Sequence, residues 1–373
     1  MRLVLVIAAM LAAAACESGD DSALPGSVDG GLDAAGQVDG GPNGPGRFDQ
    51  VAGQYRILET IAGVGDLRDK GVNGWQPQFE GAEATTVELS RPHMAQADSV
   101  GNIYIADKDA HAIRKIGLDG SLTTVAGTGE AGDDGDSPGP GTQRRLSAPN
   151  GLWVRADGTL YILDLGNDRV RRLAPDGELT TLFVIGGAGT GRGLWVADDE
   201  SRAYVAAGTA LKTWTPELGV VTLASGFASL GNLAVDSNGE LAVTDRLSHR
   251  VYRVEADGEK RVIAGNGTRT GGGDGEPALS TGLDEVRGIW FHPDGGYLLA
   301  THKGGQIWYV DGLGDIHLFL DGDAEHSHGG DGEDYRSPGK KISEPRAISM
   351  TPDGDILITE NDYGFIRRLA RVE

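Results

Sequence analysis

The chain has a single cysteine, Cys16, so it has no internal disulfide framework. Basic residues are scarce: 33 Lys and Arg stand against 55 Asp and Glu, a formal charge of −22. A surface this acidic repels phosphate backbones and excludes nucleic acid as a partner. The apolar run Met1–Ala15 is too short to span a bilayer as a mature helix. Three familiar catalytic signatures are missing: the Gly-x-Ser-x-Gly elbow, the phosphate loop and His-Glu-x-x-His.

What the chain does have is glycine, 60 of 373 residues, mostly in turns and between repeats. The repeat unit is clearest at Arg91–Thr128, which reads as four short strands joined by three turns, with Gly101-Asn102 and Asp119-Gly120 as turn signals. Further copies run over Ala148–Val184, Arg192–Leu223, Leu230–Gly265 and Val286–Leu320. The last copy, Pro345–Val372, has only three strands. Its missing fourth lies at the other end of the chain, where Tyr55–Val64 matches the fourth-strand pattern with no first three strands before it. Five full units and two complementary pieces make six. The expected fold is an all-β, six-bladed β-propeller of four-stranded blades, closed by Tyr55–Val64 beside the last C-terminal strand. Closure leaves only short, protected edges.

Met1–Ala15 has one basic residue, an apolar run and a small-residue end, the pattern of a secretory signal. Ala13-Ala14-Ala15-Cys16 resembles a bacterial lipobox, with Ala where Leu is usual. The resemblance implies lipidation at Cys16 and an extracytoplasmic protein anchored to a bacterial membrane. Glu17–Gln50 is acidic and almost free of apolar side chains, so it reads as a flexible tether. The expected organisation is signal 1–15, lipidated cysteine and tether 16–50, and propeller 51–373.

The repeats resemble the NHL family. Pro149-Asn150-Gly151-Leu152, Tyr104-Ile105-Ala106-Asp107, Asn167-Asp168-Arg169-Val170 and Thr124-Val125-Ala126-Gly127 carry the likeness, as does the Gly/Asp loop Gly265–Ala278. It covers Tyr55–Val372. It implies the fold strongly and the function weakly, because such propellers include both binding modules and enzymes.

Repeat alignment puts six residues at the inner start of the blades: His93, Asn150, Arg192, Gly231, Arg287 and Arg346. Three guanidinium forks in an acidic protein suggest a pocket at the channel mouth for an acidic group. The competing reading has each arginine paired with a neighbouring carboxylate, gluing blades together. A second ring, Asp107, Asp164, Asp245 and Glu360, reads as turn-stabilising, with Arg169 and Arg250 as expected partners of Asp164 and Asp245.

Six of the eight histidines fall on the same rim: His93, His111, His249, His302, His326 and His328. His326 and His328 with Asp323 and Asp331 are the most metal-like group, and His302 is a further candidate ligand. Three acidic loops, 133–136, 274–276 and 331–334, invite calcium but lack EF-hand spacing. Zinc or calcium is therefore the divalent ion to consider. Trp153, Trp195 and Trp290 recur on the inner strands and read as blade-to-blade packing.

The expected function is a monomeric, membrane-anchored binding or scaffold module. Its upper rim would take a protein, a glycan or a small acidic ligand. The alternative is a metal-dependent lyase or hydrolase, lactonase-like or amidating-lyase-like, at the channel mouth.

Overall fold

The computed structural model describes residues 47–67, 69–323 and 325–372. The signal, Cys16 and the tether to residue 46 lie outside them. Among the described residues, no helix is long and apolar enough to cross a membrane.

Six antiparallel sheets form the blades of a propeller. Their inner strands are Pro92–Ala97, Pro149–Val154, Leu194–Val196, Leu230–Val235, Val286–Phe291 and Pro345–Met350 for blades 1 to 6. Each contacts the next, and the sixth contacts the first, so the ring is closed. Closure runs through Tyr55–Ala62, which pairs antiparallel with Phe365–Arg371 as the outer strand of blade 6. Tyr55, Leu58 and Ala62 point from it into the core, at most 2% exposed. The folded part begins slightly before Val51. Phe48–Ala52 is a short helix whose Phe48 ring stacks on His317 at 4.6 Å, and whose Val51 is fully buried.

Four blades carry a fifth, two-residue strand that the repeat pattern did not announce. Ala82–Glu83, Gly139–Pro140, Glu276–Pro277 and Glu333–Asp334 each clip onto the outer strand of the blade they lead into. Blades 3 and 4 lack this strand, and the connectors entering them are short. A carboxylate reinforces each clip. Glu80 accepts from Thr124 N, Asp136 from Thr181 Oγ1, Asp274 from Leu318 N and Asp331 from Thr60 Oγ1. All three acidic loops therefore supply carboxylates that are already engaged in holding outer strands.

The second acidic ring is built into the blades. Asp107 accepts from Ser90 N, Asp164 from Ser147 N, Asp245 from Ser229 N and Glu360 from Ser343 N, at 2.6 to 2.9 Å. The arginine that pairs with them stands seven residues on, not five: Arg114, Arg171 and Arg367. Arg169 is drawn outward instead, to Asp133 and Asp136 in the connector. Arg250 makes no ion pair with Asp245.

Glu360 and Arg367 are both fully buried and 2.8 Å apart. Burial opposes ionisation of Glu360. The hydrogen bond from His328 and the charge of Arg367 outweigh it and hold the carboxyl at about 2. Arg367→Ala leaves that carboxylate buried without its guanidinium counter-charge, so we expect a loss of roughly 3–5 kcal/mol in urea unfolding. A loss under about 1 kcal/mol, the value of a surface pair, would contradict this role.

Candidate functional site

The inner strands begin at one end of the channel, and the residues aligned there do form a ring. Pro92, Pro149 and Pro345 open their strands with φ preset, so the next residues, His93, Asn150 and Arg346, take equivalent places. Arg287 follows Val286 in the same way. Gly231 supplies no side chain because none fits. A Cβ there would lie 2.4 Å from Thr244 Oγ1 and 2.8 Å from the Arg287 carbonyl.

The ring residues are tightly connected. Arg346 donates to His302 Nε2 at 3.0 Å and lies 3.5 Å from His93 Nε2. It also pairs with Asp362 at 3.4 Å. Arg287 is bound by Glu285, which Arg246 approaches at 3.8 Å. Arg91 pairs with Asp362 at 3.1 Å. Asn150 donates to the Gly191 carbonyl, and its Oδ1 is buried without a partner.

Arg192 is different. Among the described residues its side chain makes no hydrogen bond and no ion pair, and its Nε and Nη1 are buried. Burial, then the charges of Arg287 and Arg246, push its pKa down to about 9. Burial and the charges of Arg192 and Arg287 likewise press Arg346 well below the usual range. The glue reading thus holds for Arg287 and Arg346 and fails for Arg192.

Both histidines here are kept neutral. Burial and then Arg346 lower His93 and His302. Beside them, Glu344 lies 3.3 Å from His302 Nε2. Burial and the neighbouring Asp362 raise Glu344, while a hydrogen bond from Glu344 and the charge of Arg346 overcome burial and keep Asp362 ionised. Of the two carboxyls, Glu344 therefore holds a proton more readily than Asp362. His302, Glu344 and Asp362 could together hold a metal ion, with ligand atoms within 4.8 Å of one another.

The metal candidates do not form one cluster. His326 reaches this corner, 3.8 Å from Glu344. His328 and Asp331 belong to blade 6. There His328 stacks on Phe365 and contacts Asp331 and Glu360, each at 3.4 Å. Sequence reading missed Arg91, Glu285, Glu344 and Asp362. A signal existed: Arg91, Glu285 and Glu344 each stand two places before a ring residue.

Folded neutral histidines dictate a pH response. Four histidines, 93, 111, 292 and 302, are lowered by burial, and His328 alone is raised, by hydrogen bonds to Asp331 and Glu360 that outweigh burial. For a lowered group, the unfolded chain takes up protons first as pH falls below about 6.5, so stability drops there. His328 opposes this trend. We expect the urea midpoint to fall between about pH 6.5 and 5. The double variant His93→Asn, His302→Asn should flatten that slope. A flat wild-type profile would contradict the assignment.

No protein-family model matches the chain. It is 28% identical over 149 residues to the chloroplastic protein SUPPRESSOR OF QUENCHING 1 of Arabidopsis thaliana, covering 38% of this chain and 14% of that one. It is 34% identical over 115 residues to Teneurin-3 of Danio rerio, covering 28% of this chain and 4% of that one. The chain thus spans a small part of these curated relatives. Among solved structures, a protein of unknown function from Bacteroides thetaiotaomicron superposes with a TM-score of 0.65 at 17% identity, covering 84% of this chain and 76% of that one. An auxiliary nutrient binding protein from the same organism gives 0.62 at 13%, covering 85% and 77%. A streptogramin B lyase gives 0.55 at 12%, covering 85% and 98%. These likenesses agree on the six-bladed propeller fold.

Proposed function

We propose that the protein is an NHL-type propeller, lipid-anchored outside the cytoplasm, that binds a ligand carrying an acidic group at the channel mouth. The observation that carries this is Arg192, an unpaired guanidinium with two buried donors amid Arg287 and Arg346. A partly buried cation whose inner donors meet no acceptor, with Glu285 acting on it only through space, is costly. A carboxylate on the ligand relieves that cost and accepts the idle donors. Asn150 Oδ1 adds an unused acceptor on the same rim for a ligand hydroxyl or amide. The solved nutrient-binding neighbour is consistent with a binding role and with an extracytoplasmic setting. The test is carboxylate binding by the wild type and by Arg192→Ala.

The second reading, a metal-dependent lyase or hydrolase, rests on His302, Glu344 and Asp362. Against it, Arg346 donates to the very His302 nitrogen that a metal would take. Two further guanidinium groups, Arg192 and Arg287, also act on this corner. Elemental mass spectrometry of the purified chain decides between them. We expect no stoichiometric zinc or calcium. One ion per chain that is lost in His302→Ala would favour the enzyme.

A further inference from the structure

The other end of the channel holds a cavity of about 890 Å³. Its walls come from the far ends of the inner strands, three or more residues beyond the arginine ring. That volume lies in the range of small-molecule sites.

Its floor is aromatic. Trp153 of blade 2 and Trp290 of blade 5 meet across the channel axis, with ring centroids 5.9 Å apart. Trp195 of blade 3 lies 6.3 Å from Trp153. Blades 2 and 5 face each other, so this contact is not the neighbour packing expected from the repeats. Trp153 and Trp290 are only partly buried and both line the cavity. The Trp153 indole N–H is buried and has no acceptor. A buried donor left unpaired signals a missing partner.

The rest of the wall is polar. Gln96 spends its Oε1 on Val154 N, and its amide nitrogen makes no hydrogen bond among the described residues. Glu240 and Arg253 form a paired carboxylate and guanidinium, 2.9 Å apart. These groups are planar, and both donors and acceptors are on offer. The charged lining residues are Asp236, Glu240, Asp311, Arg253 and Arg371, so charges of both signs are mixed and no cationic patch calls for an anion.

A ligand that fits must offer a flat apolar face to the indoles and a rim of hydroxyls to the polar wall. A pyranose ring does both: its C–H face lies on an aromatic plane, and its equatorial hydroxyls reach planar side chains. We propose that this lower cavity is a binding site for a neutral saccharide, separate from the acidic-ligand mouth.

The test uses the full-length chain and a panel of neutral hexasaccharides built from glucose, mannose, galactose or xylose. Binding is read by intrinsic tryptophan fluorescence and calorimetry. At least one member should quench fluorescence saturably. Trp290→Ala should weaken it by about tenfold or more, and Arg192→Ala should leave it unchanged. Glu240→Gln, a change in a half-exposed pair that leaves the floor intact, should weaken it too, which keeps the test alive should Trp290→Ala fold poorly. The proposal is overturned if no member binds, or if the sugar that binds ignores both lower-cavity variants. It is also overturned if binding is lost in Arg192→Ala.

Discussion

A chain that starts after Ala62 loses its cooperative unfolding transition. The strand Tyr55–Ala62 completes blade 6, so its removal exposes the unpaired edge Phe365–Arg371 and breaks the ring. It also removes the buried side chains of Tyr55 and Leu58, about 1.5–3 kcal/mol for each large side chain. Further losses follow, because Tyr55 Oη bonds His292 and the Gly354 carbonyl, each at 3.0 Å, and Arg368 pairs with Glu59. Domains are typically stable by only about 5–15 kcal/mol, so the sum is a large fraction of the whole. An exposed edge also recruits other chains. Residues 63–373 should therefore elute as aggregates or strand-swapped oligomers and melt broadly. Residues 47–373 should melt like the full chain. A sharp transition within a few degrees of the full chain's, on a monomer lacking residues 1–62, would show that the ring does not depend on this closure.

The second large effect is on binding. Arg192→Ala should abolish the affinity for carboxylate ligands and leave the melting temperature unchanged or raised. The combination matters. Most substitutions at buried positions destabilise. The Arg192 side chain, however, contributes no ion pair or hydrogen bond among the described residues, and it presses on Arg287 and Arg346. Its removal relieves that repulsion. Arg287→Ala and Arg346→Ala behave in the opposite way. Each removes one guanidinium from a part-buried carboxylate, Glu285 or Asp362, and leaves only that of Arg246 or Arg91 beside it, so they should lower the melting temperature as well as binding. If Arg192→Ala binds as well as wild type while the other two only lose stability, the arginine ring is structural glue throughout.

The repeats made the blades legible, because each carries turn signals at fixed spacing and the two chain ends complement each other. The closing strand and the inner ring followed from that alignment. The two-residue clips did not, because such short strands have no periodicity to read. Their anchors, Glu80, Asp136, Asp274 and Asp331, sat in acidic loops where a cation reading competed. The arginine partners were misplaced because Asp164 and Arg169 do stand directly opposite in register. Strand pairing suggests that contact, but connector carboxylates three-dozen residues upstream pull Arg169 away. At the mouth, alignment found His93, Asn150, Arg192, Arg287 and Arg346 but could not say which arginine was free. That depends on Glu285 and Asp362, which enter from loops of different blades. The tryptophans were aligned correctly, yet their meeting across the axis is a property of the closed ring rather than of any one repeat.

The most direct measurement is a calorimetric titration of the full-length chain with citrate, run in parallel on Arg192→Ala. The account predicts a saturable one-site isotherm for wild type that weakens as salt rises, and no measurable heat of binding for the variant. Equal isotherms for the two proteins, or none for wild type, would contradict an anion-accepting mouth.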